Sequence, residues 1–188
     1  MGKLVSMEVL FVTCNPGKFR EASEILSSYG IRAVRKFMEL EEIQDRDVLN
    51  VSAHKARKAF EKLRKPLFVE DTGLYVTGLN GYPGSFVKHF LDSIGRKGIT
   101  KCLYGKKRMA KAVCVVTYAD RRGSLFHFTG EVPGRITWRP SGESDFGFDP
   151  IFVPDGKRKT FAKMSAEEKN EISHRRKALE KFASWLNP

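Results

Sequence analysis

The chain has 188 residues and a formal net charge of +12, from 34 Lys and Arg against 22 Asp and Glu. Its hydrophobic content of 41% is enough to build a core, so extensive disorder is excluded, and no apolar stretch approaches the roughly 20 residues that cross a bilayer. Three cysteines without a Cys-x-x-Cys spacing argue against a disulfide framework or a zinc site. We therefore predict a single cytoplasmic domain over residues 1–188, with residues 1–6 as an extension that need not be ordered.

The N-terminal part predicts alternating strands and helices. Val9 to Thr13 is a β-branched run, and the Asn15-Pro16-Gly17 turn that follows it leads into a helical spacing of apolar residues. A second strand, an acidic segment at Glu39 to Glu42 and a second helix come next. Leu67 to Val69 then predicts a buried strand that ends at Glu70-Asp71-Thr72-Gly73, and carboxylates at a strand end mark a site in an α/β sheet.

The C-terminal part predicts one more helix, a hairpin and a final helix. The helical pattern covers Phe86 to Ile94, and the hairpin strands cover 112–118 and 124–129. Ser165 and Glu168 form a capping box, which begins a long C-terminal helix. Together these elements predict an α/β fold with a mixed sheet.

The segment Thr13-Cys14-Asn15-Pro16-Gly17-Lys18 is the first candidate site. Backbone N–H groups at a helix N-terminus, together with a lysine, can bind phosphate. The segment is not a P-loop, because Val12 and Phe19 stand where that motif needs a glycine and a hydroxyl residue. A plain Pro-Gly turn with a solvated lysine is the alternative.

The same loop has the Cys14-x-x-Gly17-x-x-Arg20 spacing of a cysteine phosphatase, in which a thiolate attacks phosphorus. Glu21 stands where such loops carry a hydroxyl, and its charge would repel phosphate. We therefore expect Cys14 to be a small buried residue after the strand, and the phosphatase remains an alternative.

Three further groups of residues could carry chemistry. Glu70-Asp71, with Glu41 and Glu42 upstream, offers the oxygen ligands that Mg²⁺ prefers. The aromatic loop at 144–152 could stack on a base. On a continuous helix His174 would lie about 200° from Ile172, so it is predicted to face solvent or a cleft.

Taken together, these segments resemble the inosine triphosphate pyrophosphatase family, whose members remove non-standard purine nucleotides. The resemblance runs from about Val9 to Leu179, and Cys14 and Phe148 depart from it, where a small residue and Tyr or Trp are common. The matching motifs are Thr-x-Asn-x-x-Lys at Thr13 to Lys18, Val51-Ser52-Ala53-His54-Lys55-Ala56, Glu70-Asp71-Thr72-Gly73-Leu74, Gly81-Tyr82-Pro83-Gly84, Gly147-Phe148-Asp149-Pro150-Ile151-Phe152, Thr160-Phe161-Ala162, Met164-Ser165-Ala166-Glu167-Glu168-Lys169-Asn170 and Ser173-His174-Arg175.

The resemblance implies an α/β fold of two lobes on a long mixed sheet flanked by helices, with the active site in the cleft between the lobes, and a homodimer. It implies that ITP, dITP and XTP are hydrolysed to the monophosphate and pyrophosphate by water that attacks the α-phosphorus. Glu42 and Asp71 would bind Mg²⁺, and Asp71 would also act as the catalytic base or orient the water. The substrate-binding residues would be Thr13, Cys14, Asn15, Pro16, Gly17, Lys18, Lys55, Thr72, Phe146, Gly147, Phe148, Asp149, Lys169, His174 and Arg175.

A basic nucleic-acid-binding module is a non-enzymatic alternative that uses the same net charge. Its basic residues are scattered in short clusters with acidic residues between them, so no stable complex with nucleic acid is expected. We also expect no membrane association. Salt-dependent binding of polynucleotide without release of pyrophosphate would identify such a module.

Overall fold

The computed structural model describes residues 7–144 and 146–187, so the predicted extension at 1–6 lies outside the described residues. The helices of this part are α1 (Pro16–Ser27), α2 (Val48–Leu63), α3 (Val87–Lys101), α4 (Ala166–Ile172) and α5 (His174–Leu186). The strands are β1 (Met7–Val12), β2 (Ile31–Lys36), β3 (Leu67–Val76), β4 (Pro83–Gly84), β5 (Met109–Ala119), β6 (Leu125–Ile136) and β7 (Phe152–Pro154). None of the helices in the described ranges is long and apolar enough to span a bilayer.

The seven strands form one mixed sheet in the order β2-β1-β3-β5-β6-β7, with β4 paired to β3. Strand β1 runs parallel to β2 and β3, whereas β5 is antiparallel to both β3 and β6. The predicted hairpin is confirmed and is longer than expected. Its turn is fixed by Asp120, whose Oδ1 accepts hydrogen bonds from the backbone N–H groups of Arg122 and Ser124 at 2.8 Å.

Strand β3 contributes buried residues to three hydrophobic clusters, the third of which holds Leu67 and Val69. Phe68 belongs to the first cluster, where its ring centroid lies 4.3 Å from that of Phe11 and 5.1 Å from that of Phe182. Leu74 belongs to the second cluster, which includes Phe152. The polar residues of β3 lie between these two positions, so the fold places them between two cores.

The predicted end of this strand at Glu70 is wrong. Strand β3 continues to Val76, and Glu70, Asp71 and Thr72 pair with residues 114–116 of β5. Continuation is possible because the buried carboxylates are neutralised by cations from other elements, described below. Since side chains alternate along a strand, Glu70 and Asp71 point to opposite faces of the sheet.

The predicted C-terminal helix is two helices. The capping box at Ser165 and Glu168 is confirmed and begins α4. Ser173 is extended and interrupts the helix, and its Oγ accepts a hydrogen bond from the Arg176 N–H at 3.1 Å, which begins α5. His174 is therefore the first residue of α5 and is buried, so its predicted exposure to solvent is wrong because the helix is not continuous.

Gly130 on β6 allows α5 to pack against the sheet. A Cβ atom at this position would lie 2.1 Å from the His174 carbonyl oxygen and 2.5 Å from the Ala178 nitrogen, both of which are backbone atoms. We predict that Gly130→Ala lowers the free energy of unfolding in urea by about 3 kcal/mol.

The control for this prediction is Gly30→Ala, since Gly30 has a φ of +70° and a Cβ atom added there would meet nothing within 4 Å. It should cost only the left-handed backbone strain of about 1 kcal/mol. Equal losses in the two variants would contradict the packing argument.

Candidate active site

A cleft of about 790 Å³ lies between the two cores. It is bordered by the β1–α1 loop, the middle of β3, the first half of α3, the loop at 146–149 and the start of α5. Fourteen of the predicted site residues line it, namely Thr13, Cys14, Asn15, Lys18, Glu42, Lys55, Asp71, Thr72, Phe146, Gly147, Phe148, Asp149, His174 and Arg175. The fold therefore brings together segments from most of the chain.

Side-chain hydrogen bonds, including one from Arg35 of β2, stabilise the β1–α1 loop. Asn15 caps α1, because its Oδ1 accepts a hydrogen bond from the Lys18 N–H at 3.0 Å. Thr13 Oγ1 accepts one from the Asn15 N–H at 3.1 Å, and Arg35 donates to the Cys14 carbonyl at 2.7 Å. Pro16 occupies the first turn of α1 and is exposed outside the cleft. The N-terminus of α1 and Lys18 thus make a cradle for an anion.

Cys14 is exposed, so the expectation that it is buried is wrong. The chain turns at this residue before α1 begins, which leaves the thiol at the surface of the cleft. Arg20 is also exposed, and it is not among the residues that line the cleft. The arrangement of thiol and guanidinium around one phosphate that a cysteine phosphatase needs is therefore not formed.

Gly17 supports the aromatic loop. A Cβ atom on Gly17 would lie 2.7 Å from the Cε2 atom of Phe146, so only glycine lets this ring rest directly on the start of α1. The small size of Gly17 therefore determines where the Phe146 ring can lie. Gly17 itself lies behind this ring and does not line the cleft.

Lys55 on α2 joins two carboxylates. Its Nζ lies 2.8 Å from Glu42 Oε1 and 2.8 Å from Asp71 Oδ1. Burial lowers the pKa of Lys55, but the charges of Asp71 and Glu42 more than offset burial, so this pKa stays above its usual value. Burial alone would raise the pKa of Glu42, but the positive charge of Lys55 more than offsets burial. The pKa of Glu42 therefore lies below its usual value. Lys55 and Glu42 are therefore both charged at neutral pH.

Asp71 and Glu42 fit a magnesium ion. Asp71 Oδ2 is buried and has no hydrogen-bond partner among the described residues, so it has a lone pair free toward the cleft. Within residues 7–144 and 146–187, His, Cys, Asp and Glu form no group of three or more that could hold a metal alone. Mg²⁺ is commonly held by one or two carboxylates with waters and substrate phosphates, so a two-carboxylate set suits it.

Glu70 faces the opposite side of β3 and contacts cations. Its Oε2 lies 3.4 Å from Lys18 Nζ, and its Oε1 lies 3.3 Å from Arg175 Nη2. Thr72 Oγ1 and Cys114 Sγ donate to the same carboxylate at 2.6 and 3.2 Å. Burial raises the pKa of Glu70, but Arg175 and Lys18 more than offset it and hold this pKa well below its usual range.

Glu21 on α1 links the aromatic loop to the C-terminal helices. Lys169 Nζ lies 2.8 Å from Glu21 Oε1 and 2.7 Å from Asp149 Oδ2, and Arg175 Nη1 donates to Glu21 Oε2. The Phe146 ring lies over both cations, 4.7 Å from Lys169 Nζ and 5.4 Å from the guanidinium carbon of Arg175. Lys169 thus lies behind the cleft wall and supports it, whereas the prediction placed it in contact with substrate.

His174 forms the inner end of the aromatic pocket. Its ring centroid lies 5.7 Å from that of Phe148 and 6.0 Å from that of Phe161. Burial and the neighbouring Arg175 lower the pKa of His174 to about 3, so the ring is neutral at pH 7. His174 Nδ1 and Arg175 Nε are buried without a hydrogen-bond partner in the described part of the chain.

Sequence reasoning missed several residues of the site. Glu21 entered only as an argument against a phosphatase, although its spacing from Lys18 places both on one face of α1. Lys88 and Arg96 of α3 also line the cleft, and Arg96 Nε donates to the Gly147 carbonyl at 2.9 Å. The contact of Arg96 with Gly147 spans 51 positions and has no local signal, and the pairing of Lys88 with Asp92 along α3 does not by itself indicate a site.

An anion cradle, paired carboxylates and an aromatic pocket in one cleft of a mixed sheet define an α/β protein built to bind a phosphorylated aromatic ligand. The chain belongs to the Ham1 family, whose sequence pattern matches residues 9–185. This result confirms the family to which the motifs pointed.

Three relatives illustrate the similarity. The dITP/XTP pyrophosphatase of Methanopyrus kandleri is 46% identical over 180 residues, which cover 95% of this chain and 96% of the relative. The inosine triphosphate pyrophosphatase of Yarrowia lipolytica is 43% identical over 182 residues, 96% of each chain. The HAM1 protein structure from Coxiella burnetii superposes with a TM-score of 0.84 at 27% identity and covers 96% of this chain and 98% of that chain.

The neutral, buried His174 predicts an acid-sensitive fold. Because its pKa falls from 6.5 to about 3 on folding, the unfolded chain binds a proton that the folded chain does not bind between these values. The free energy of unfolding should therefore fall as the pH drops below 6.5, by up to about 1.4 kcal/mol per pH unit from this residue.

Urea unfolding at pH 5.0 to 7.5 measures this slope, and His174→Gln should flatten it in that range. His127→Gln is the control, since burial and Arg57 lower the pKa of His127 without the full burial of His174. An unchanged slope in His174→Gln would show that other groups cause the acid sensitivity.

Proposed function

We propose that this chain hydrolyses the non-standard purine nucleotides ITP, dITP and XTP to the nucleoside monophosphate and pyrophosphate. The observation that carries the proposal is a set of buried polar atoms that have no hydrogen-bond partner in residues 7–144 and 146–187 and belong to residues lining the cleft: Asp71 Oδ2, His174 Nδ1 and Arg175 Nε. A fourth such atom, Glu70 Oε2, is ion-paired with Lys18. Each such atom costs about 1–3 kcal/mol when buried without a partner. A ligand with phosphates at one end and a polar purine at the other would pair these three atoms, and the Methanopyrus and Yarrowia relatives, a dITP/XTP and an inosine triphosphate pyrophosphatase, are named for ligands of this kind.

The phosphate end of the cleft supplies positive charge and a base. Thr13, Asn15 and the first N–H groups of α1 would bind the phosphates, and Lys18 and Lys55 would neutralise the charge that develops on the leaving pyrophosphate. Asp71 would orient a water and accept its proton as the water oxygen attacks the α-phosphorus. The bond from that phosphorus to the bridging oxygen then breaks. Mg²⁺ bound by Glu42 and Asp71 would add charge neutralisation at the phosphates.

The aromatic end selects the base. Phe146 would stack on the purine, and the free N–H of Arg175 would donate to O6 of hypoxanthine or xanthine. An amino group at C6 would leave that donor unpaired, which disfavours adenine. Neutral His174 has one donor and one acceptor nitrogen, so its tautomer can adapt to the base edge.

The family resemblance supports three finer proposals. We propose Mg²⁺ as the metal, a homodimer as the assembly and the cytoplasm as the location. The partner is then a small-molecule nucleotide, and the cleft needs no membrane and no stable nucleic-acid complex to act.

Release of pyrophosphate from ITP, dITP, XTP, ATP and GTP, with Mg²⁺ and with a chelator, tests the activity. We expect Mg²⁺-dependent cleavage of the first three far above ATP, whose 6-amino group leaves the Arg175 donor unpaired, and, from the family resemblance, far above GTP as well. Asp71→Asn should lower kcat by about 10³-fold because the water loses its base.

Glu42→Gln should raise the Mg²⁺ concentration needed for half-maximal rate. Glu41→Gln is the matched control, because Glu41 is the exposed neighbour of Glu42 and does not line the cleft. Near-normal turnover by Asp71→Asn would remove Asp71 from the mechanism, and equal effects of the two glutamate variants would remove Glu42 from the metal site.

The exposed thiol of Cys14 gives the phosphatase alternative a direct test. Cys14→Ser and Arg20→Gln should keep most of the pyrophosphatase activity, since neither side chain is assigned a chemical step. If the wild type instead cleaved an aryl phosphate and Cys14→Ser abolished that cleavage, the cysteine phosphatase would replace our proposal.

A further inference from the structure

A second surface stands apart from the cleft. Tyr104, Met109 and Trp138 are 72%, 62% and 67% exposed, and none of them lines the cleft. The ring centroids of Tyr104 and Trp138 lie 6.4 Å apart, and Met109 pairs with Arg135 across β5 and β6. Large apolar side chains that cluster in solvent commonly mark an interaction site.

Arg108 holds the Trp138 ring in place. The guanidinium carbon lies 4.2 Å from the ring centroid, and the guanidinium donates to the carbonyls of Thr100, Leu103 and Ile136 at 3.2, 3.2 and 3.0 Å. These hydrogen bonds fix the cation against the end of α3 and the end of β6. Trp138 therefore has one supported side, while two thirds of the residue stays open to solvent.

The surroundings of these side chains are strongly basic. Residues 101–109 and 133–139, which meet at the paired ends of β5 and β6, contain six Lys or Arg and no Asp or Glu. We call the exposed residues of these segments the Trp138 surface. Its aromatic, apolar and basic members are Lys101, Tyr104, Lys106, Lys107, Met109, Arg135, Trp138 and Arg139, and Cys102, Gly105 and Pro133 are exposed beside them.

The charge of the Trp138 surface decides among possible occupants. A second copy docked by two-fold symmetry would place like charges opposite one another, which is unfavourable. A membrane surface is usually bound by an amphipathic helix, whereas this surface is made by a loop and strand ends. A flexible polyanion with flat bases matches both the lysines and the fixed aromatic ring.

We propose that the Trp138 surface binds single-stranded nucleic acid, with a base stacked on Trp138 beside Tyr104 and the backbone phosphates paired with Lys106, Lys107 and Arg135. The contact is non-specific in sequence and independent of the cleft. With a Kd of about 10 µM at low salt it is transient, so it does not amount to a stable complex.

Fluorescence anisotropy of a labelled oligothymidylate tests the proposal. Trp138→Ala should raise Kd about 5- to 10-fold, and Trp138→Phe should restore most of the affinity. Lys106→Gln with Lys107→Gln should lower the slope of log Kd against log salt by about 1.4, for two phosphate contacts.

Matched controls lie elsewhere on the surface. Phe37→Ala removes a 64% exposed aromatic ring that also lies near an arginine, 6.0 Å from the guanidinium carbon of Arg35. Lys62→Gln with Lys65→Gln removes the same charge from exposed positions. Neither control should change Kd or the salt slope. All variants should hydrolyse ITP like the wild type, and the binding assay remains informative if ITP is not the substrate.

A Trp185→Phe variant leaves Trp138 as the single tryptophan and distinguishes the occupants. Stacking should quench its fluorescence on addition of oligothymidylate. Equal competition by polyglutamate would show a simple ion-exchange surface and overturn the stacking. Phosphatidylserine vesicles that shift the emission to the blue, without oligothymidylate binding, would assign the surface to membranes. A dimer that dissociates in Trp138→Ala would assign it to a second copy.

Discussion

The burial of one carboxylate between two cations organises this molecule. Glu70 is removed from water, and it keeps its charge because Lys18 from the first turn of α1 and Arg175 from the start of α5 lie beside it. Removing one member of such a group would leave an uncompensated buried charge, which typically costs about 3–5 kcal/mol. Helices α1 and α5 are thus fixed to the same residue of the central strand.

Because side chains alternate along β3, Glu70 and Asp71 lie on opposite faces of the sheet and contact different elements. Glu70 lies on the face covered by α1 and α5, where it contacts Lys18 and Arg175. Asp71 serves the face covered by α2, where Lys55 lies 2.8 Å away. Adjacent acids that both line the cleft therefore have different ion-pair partners, Lys18 and Arg175 for Glu70 and Lys55 for Asp71.

Much of this arrangement could be predicted from the sequence, and the failures have a common cause. The helix that carries Lys55 and the capping box at Ser165 depend on neighbours within a few residues, and both are confirmed. The predicted turn at Asn15-Pro16-Gly17 is instead the N-cap and first turn of α1, because proline is favourable at the start of a helix. The continuation of β3 through Glu70 depends on Arg175, which lies 105 positions away. No glycine or proline near Ser173 marks the point where the helix is interrupted. The order of the motifs along the chain indicated the family and most of the residues that line the cleft. The contacts of Glu21 with Lys169 and Arg175 could be recognised only in the folded structure.

The unpaired atoms of the cleft also bear on how far this protein can be stabilised. Asp71 Oδ2, His174 Nδ1 and Arg175 Nε are held out of water without partners among the described residues. At His174 an apolar side chain of similar shape would remove that burden from the free protein, whereas at Asp71 or Arg175 it would also remove a counter-ion of Lys55 or of Glu70. Stabilisation of the free cleft is therefore limited by its ion pairs, and it would come at the expense of polar groups that a ligand could use.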